Sequence, residues 1–112
     1  MHEYSIVQSL VDSVEKAVGP RVACVRRLEV RIGEVSGVDP GLLATAYEVF
    51  RAGTSCEWAD MVIERVPARW ECPRCAIVIA AGRALRCPVC DAPARLAAGD
   101  EIVLQRIEME VP

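Results

Sequence analysis

Two groups of residues in this chain have the types and spacing to bind metal, and they lie far apart in sequence. Cys72-Pro73-Arg74-Cys75 and Cys87-Pro88-Val89-Cys90 are two C-P-x-C motifs separated by eleven residues. Each pair can wrap a turn around one edge of a metal ion, and the four thiolates together make a tetrahedral sulfur cage. Thiolates are soft donors that favour Zn(II) or iron, and four protein ligands leave no position for a substrate water. The natural reading is a structural zinc site. Iron in a rubredoxin-like site is the minor alternative, disfavoured by an aromatic content of only 4%.

The second group is the chain's opening, Met1-His2-Glu3, where His2 is the single histidine. The Met1 amine, the His2 amide nitrogen and the His2 imidazole Nδ1 can close fused chelate rings, with the Glu3 amide or carboxylate as a fourth donor. A nitrogen-rich tetragonal site of this kind suits Ni(II) or Cu(II). Taken alone, a histidine beside a terminus reads more simply as a solvated residue.

The cage must hold its own surroundings together. Between Trp70 and Gly99 the chain is mostly Cys, Pro, Gly, Ala and Arg, too poor in bulky apolar residues to fold by burial. The residue after the second cysteine of such a knuckle often needs positive φ and is often glycine. Here it is Ala76 in one motif and Asp91 in the other. Alanine adopts that conformation poorly, so a strained or differently turned first knuckle is expected. Cys24 and Cys56 have no cysteine or histidine near them in sequence; Cys24 reads as strand core and Cys56 as a semi-buried loop residue.

Elements that could position these groups are legible on either side. Ile6, Val7, Leu10, Val11, Val14, Ala17 and Val18 recur at helical spacing up to Gly19-Pro20. From Val22 to Val35, Leu28, Val30 and Ile32 alternate with Arg27, Glu29 and Arg31, which predicts a strand with one wet face, followed by a turn between Gly33 and Gly37. Asp39-Pro40 supplies a cap and first residue for a second helix with Leu42, Leu43, Ala46, Val49 and Phe50 as its apolar stripe, closed by Gly53. Trp58 to Val66 and Ile102 to Val111 read as further strands. In the last, Ile102 and Leu104 are out of phase with Ile107, Met109 and Val111; either a bulge near Gln105 and Arg106 or apolar cover on both faces would account for it.

Composition removes several function classes. A net charge of −3 offers no basic footprint for nucleic acid, and the few aromatics offer little stacking surface. No stretch approaches the ~18 apolar residues of a membrane span, and the first residues do not read as a secretory signal. The expected compartment is the cytoplasm, where thiols stay reduced and six cysteines read as metal ligands sooner than as disulfides. No nucleophile motif or phosphate-cradling glycine loop is present, and Glu34 and Asp39 fit a turn and a helix cap better than a pair of catalytic acids. The chain therefore reads as a non-enzyme. The rival from another class is a zinc-ribbon module binding nucleic acid or another macromolecule through Arg74, Arg83, Arg86 and Arg95; the simpler account is that these arginines offset the charge of the sulfur cage.

Met1-His2-Glu3-Tyr4-Ser5-Ile6, the Ile32-Gly33-Glu34-Val35-Ser36-Gly37-Val38 turn, Gly53-Thr54, the twin C-P-x-C motifs and Gly99-Asp100-Glu101-Ile102 occur in this order. Together they resemble the HypA/HybF family of hydrogenase nickel-incorporation proteins, over essentially the whole chain. The departures are Tyr4, where the family usually has methionine, and Ala76 and Asp91 at the usual glycines. The resemblance implies a nickel metallochaperone for [NiFe]-hydrogenase maturation, with Ni(II) at His2, the Met1 amine and Glu3 as a further donor, and Zn(II) at Cys72, Cys75, Cys87 and Cys90. It implies an α+β fold: two helices on a three-stranded sheet, residues 1–68 plus 99–112, with an inserted zinc-ribbon-like four-cysteine module at 69–98. Expected partners are a maturation GTPase, since the chain has no nucleotide motif of its own, and the hydrogenase large subunit. Urease maturation proteins are a further candidate class.

Overall fold

The computed structural model describes residues 2–18, 24–80 and 84–110. The expected helix stop at Gly19-Pro20, together with Met1, Val22, Ala23, Arg83 and Val111, lies outside them.

Helix α1 runs from His2 to Val18, so it begins at the second residue, ahead of the apolar stripe. Glu3 in its first turn and Lys16 in its last complement the helix dipole. Val7, Leu10, Val11, Val14 and Val18 are buried; Ala17, expected on that stripe, is exposed. Strand β1, Cys24–Gly33, buries Val25, Leu28, Val30 and Ile32. Helix α2, Pro40–Phe50, starts where Asp39 caps it, Oδ1 accepting from the Gly41 and Leu42 amides at 2.8 and 3.2 Å, with Pro40 in the first turn. Strand β2, Asp60–Val66, begins two residues later than the pattern suggested, leaving Trp58 in an exposed turn.

The stripe of α2 needs correction. Leu42 and Val49 are 56% and 67% exposed, and the buried residues are Leu43, Ala46 and Tyr47, with Phe50 half-buried. Both sets sit at helical spacing, so periodicity alone does not choose between them. Tyr47 decides the phase because its hydroxyl finds acceptors inside: the carbonyls of Ala59 at 2.7 Å and Cys56 at 3.3 Å. A buried phenol with partners is tolerated where one without them is costly. Burial also drives its pKa upward. The loop from Arg51 to Ala59 is tied down by these bonds and by Arg51 Nη1 to the Ala59 carbonyl at 3.0 Å.

Strands β3 (Arg69–Glu71), β4 (Val78–Ile79), β5 (Arg95–Ala98) and β6 (Ile102–Glu110) complete the chain. One sheet has order β2-β1-β6, with β2 parallel and β6 antiparallel to β1; the other has order β4-β3-β5. The parallel pair needs a crossover, which the segment containing α2 supplies. Both helices contribute to one core against the first sheet. In β6, Leu104 faces Val30 and Arg106 faces Glu29, so Gln105 has no opposite number. That bulge brings Ile102 and Leu104 on one side of it, and Ile107 and Met109 on the other, against the same core. A second irregularity leaves Arg26 unopposed in β1. Charged pairs such as Arg27–Glu108 and Arg31–Glu64 cross between strands where side chains are solvated, and each is worth roughly 0–1 kcal/mol.

The two sheets meet where glycine is required. A Cβ on Gly33 would lie 2.1 Å from the Gly99 carbonyl oxygen, and one on Gly99, whose φ is +104°, would lie 2.6 Å from Ala68 Cα. Residues 33–35 grip both connections: the Gly33 amide donates to Glu101 O, the Glu34 amide to Val66 O and the Val35 amide to Gly99 O, each at 2.8 Å. Glu34 Oε1 also accepts from the Ala68 amide at 2.8 Å. Glu34 thus has a structural task that its sequence position did not announce.

Candidate metal centre

The second sheet has almost no core of its own. Its buried residues are Cys72, Ile79 and Cys87, with Trp70, Ala92 and Ala94 packed against them. One isoleucine and part of one tryptophan cannot offset the ordering entropy of some thirty residues, at roughly 1–2 kcal/mol of backbone entropy each. A cross-link between its arms is needed.

The backbone builds that cross-link twice. In the first knuckle the Cys72 amide donates to Ile77 O at 3.0 Å and the Ala76 amide to Cys72 O at 2.9 Å. In the second, the Cys87 amide donates to Ala92 O and the Asp91 amide to Cys87 O, both at 2.9 Å. The flanking pairs correspond too: Glu71 with Val78 in the β3–β4 ladder, Arg86 with Pro93 as an isolated bridge. That bridge is bracketed by the Cys87 amide to Ala92 O at 2.9 Å and the Ala94 amide to Leu85 O at 2.8 Å, so Pro93 stands where no N–H is needed. Both knuckles demand the expected left-handed residue, at Ala76 (φ 58°) and Asp91 (φ 61°). The first is therefore strained by its alanine and not differently turned.

All four Sγ atoms lie within 4.8 Å of one another, and Cys72 Sγ is 3.5 Å from Cys90 Sγ. Tetrahedral coordination at a Zn–S distance of about 2.3 Å sets sulfurs about 3.8 Å apart, so the donor set and its spacing fit zinc. Cys72 and Cys87 are buried while Cys75 and Cys90 lie toward solvent. Backbone amides point at the buried sulfurs: Arg74 and Cys75 N to Cys72 Sγ, both 3.3 Å, and Val89 N to Cys87 Sγ at 3.4 Å. As free thiols they respond unequally. The Cys75 amide, followed by that of Arg74, holds Cys72 down at about 6, whereas the hydrogen bond with Cys90, and then burial, push Cys75 up to about 12. Metal binding resolves this competition by ionising every ligand.

Of Arg74, Arg83, Arg86 and Arg95, the last two pair with acids, and Arg83 lies outside the described residues. Arg86 pairs with Asp91 at 3.1 Å, and Arg69 and Arg95 both approach Glu71, at 3.8 and 3.4 Å. These pairs reduce the positive charge free for nucleic acid, and their partners are carboxylates, not the cage sulfurs.

His2 is elsewhere, exposed at the first residue of α1. Among the described residues, the four cysteines are the only cluster of three or more His, Cys, Asp or Glu ligand atoms, so His2 is not joined by a set of side-chain donors. Its amide and that of Glu3 belong to the first turn, where helical N–H groups have no intrahelical acceptor. The Glu3 carboxylate is half-buried and accepts from the Asp39 amide at 3.4 Å, tying the start of α1 to the cap of α2. Tyr4 stacks edge-on against Phe50 at 5.3 Å beside it.

Two expectations for the remaining cysteines are corrected. Cys24 is exposed because it alternates with the buried Val25 on β1 and so lies on the wet face, opposite Glu110. Cys56 is fully buried where semi-burial was expected, since the loop folds in under the Tyr47 hydroxyl; burial raises its thiol pKa, so it packs as a small hydrophobe. Trp70, which covers the cage, had no signal beyond standing two residues before Cys72.

Comparison with known proteins agrees with this construction. The family profile described as "Hydrogenase/urease nickel incorporation, metallochaperone, hypA" matches residues 1–109. The hydrogenase maturation factor HypA of Geobacter sulfurreducens is 41% identical over 98% of this chain and 100% of its own, and that of Wolinella succinogenes is 40% identical over 98% and 96%. The solution structure of the Ni metallochaperone HypA from Helicobacter pylori superposes with a TM-score of 0.73 at 30% identity, covering 98% of both chains. No helix among the described residues is long and apolar enough to cross a membrane. The chain belongs to the HypA family of hydrogenase maturation nickel metallochaperones, and it is not an enzyme.

Proposed function

We propose that this chain binds Ni(II) at its N-terminus through His2, the Met1 amine and neighbouring amides, and surrenders it during maturation of [NiFe]-hydrogenase. The observation that carries this is the position of His2: exposed, at the helix start, with first-turn amides not consumed by the helix. A helix N-terminus favours negative charge, so it assists loss of an amide proton and repels a bare cation. Uptake then requires chelation, and release follows readily once the amide is reprotonated. Glu3 enters as a further donor through its amide or its carboxylate, of which Oε2 holds the Asp39 amide.

Cys72, Cys75, Cys87 and Cys90 hold a structural Zn(II) in this reading. Zinc supplies folding energy to residues 69–98, an inserted module, while residues 1–68 with 99–112 form the nickel domain around the helix–sheet core. The two sites sort metals by softness, sulfur for zinc and nitrogen for nickel. The proposed partners are a maturation GTPase and the hydrogenase large subunit, with urease maturation proteins as a further candidate class, in the cytoplasm.

The test counts zinc and nickel separately in untagged wild type, His2→Ala and a chain extended ahead of Met1. Wild type should take up both metals, while the two variants keep zinc and a native far-UV spectrum but lose nickel. Unchanged nickel stoichiometry in the extended chain would refute the terminal-amine site.

A further inference from the structure

We propose that the sulfur cage is also a peroxide-sensitive switch, in which oxidation joins Cys75 to Cys90 across the two knuckles and expels the metal. This rests on the zinc reading above, since the bound metal is what ionises all four sulfurs. Thiolate oxidation needs access and electron density on sulfur. Cys72 and Cys87 are buried, and once the metal has ionised all four ligands their backbone N–H bonds, at 3.3 to 3.4 Å, draw density from sulfur. Cys75 and Cys90 are exposed, and among the described residues no backbone amide donates to them. Each is the second cysteine of its knuckle, and their sulfurs lie within 4.8 Å of one another.

The chemistry balances with hydrogen peroxide as the oxidant. The Cys75 thiolate attacks one peroxide oxygen, the O–O bond breaks, and a sulfenic acid and hydroxide result. The Cys90 thiolate then attacks that sulfur and expels a second hydroxide, forming the S–S bond. Two sulfurs lose two electrons in all and the peroxide gains them. Zinc is left with two thiolates, too few to retain it. The bond ties the knuckles together as the metal leaves, so the module stays poised for reduction and reloading.

The experiment uses the full chain carrying Cys24→Ser, because Cys24 is another exposed cysteine. Its zinc content is measured first, then one equivalent of hydrogen peroxide is added, released zinc is followed with a chromogenic chelator, and the disulfide is mapped after tryptic digestion. Cleavage after Arg69, Arg74, Arg83, Arg86 and Arg95 puts Cys72, Cys75 and the Cys87/Cys90 pair on three peptides. The expected product links the Cys75 peptide to the Cys90 peptide, with fragmentation placing the bond on Cys90. Zinc release should match the disulfide one for one, and dithiothreitol with added zinc should restore the starting state. A bond within one knuckle, a Cys72–Cys90 bond, or zinc retained at full peroxide consumption would each overturn the proposal. A chain that purifies without zinc refutes the structural-zinc reading instead, and the same chain reloaded with zinc before peroxide is added still decides which sulfurs react.

Discussion

Ala76→Gly should tighten zinc binding, against the usual expectation that glycine destabilises. Ala76 sits at φ 58°, where its Cβ crowds the following carbonyl, whereas its amide bond to Cys72 O at 2.9 Å needs only the backbone. Relieving a left-handed alanine returns about 1–2 kcal/mol. The extra freedom of glycine in the unfolded chain takes back about 0.4–1 kcal/mol. The net is about 0.8 kcal/mol, or close to fourfold in zinc affinity. Because zinc binding and folding of the module are coupled, the gain appears in the dissociation constant, measured by competition with a chelator of known affinity. Ala80→Gly is the control: Ala80 is exposed and not among the positive-φ residues, so only the entropy loss applies and zinc should bind about two- to fivefold more weakly. Asp91→Gly should fall near zero, since aspartate tolerates φ 61° better and the change also removes the exposed pair with Arg86. If Ala76→Gly weakens zinc as much as Ala80→Gly, the strained knuckle is refuted.

Two further perturbations probe the frame around the site. Gly99→Ala drives a Cβ to 2.6 Å from Ala68 Cα at φ +104°, so backbone must move; a loss of about 3 kcal/mol and a melting temperature lower by on the order of 10 °C are expected, and a melt within 2 °C of wild type would show that the junction yields freely. Tyr47→Phe removes the hydroxyl from the carbonyls of Ala59 and Cys56. Both carbonyls keep a donor, Cys56 O the Ala59 amide at 3.0 Å and Ala59 O the Arg51 guanidinium, so only the hydroxyl's own bonds are lost, at about 0.5–1.5 kcal/mol. Cys56 should then react faster with a thiol reagent under native conditions; unchanged reactivity and melting would mean that the hydroxyl does not hold the 51–59 loop.

Much of this protein is written locally in its chain. The cage is legible because metal ligation requires a particular residue type at a short spacing, and the Pro-, Gly- and Ala-rich stretch around it announces a segment that burial cannot fold. Asp39-Pro40 marks a helix start because capping is chemistry between near neighbours, and the broken phase of residues 102–111 signals an irregularity in the strand. The sequence left open whether that irregularity was a bulge or two-sided cover; pairing with β1 decided it by leaving Gln105 unopposed. Tertiary structure also chose the buried face of α2, since Leu42 and Val49 are as apolar as Leu43 and only the acceptors waiting for Tyr47 fix the phase. It likewise gave Glu34 its partner at Ala68, exposed Cys24, buried Cys56, and divided four identical cysteines into an inner pair under amide bonds and an outer pair facing solvent. Spacing along a chain specifies which groups can meet around an ion or a turn, whereas burial and the supply of hydrogen-bond partners are properties of the packed whole.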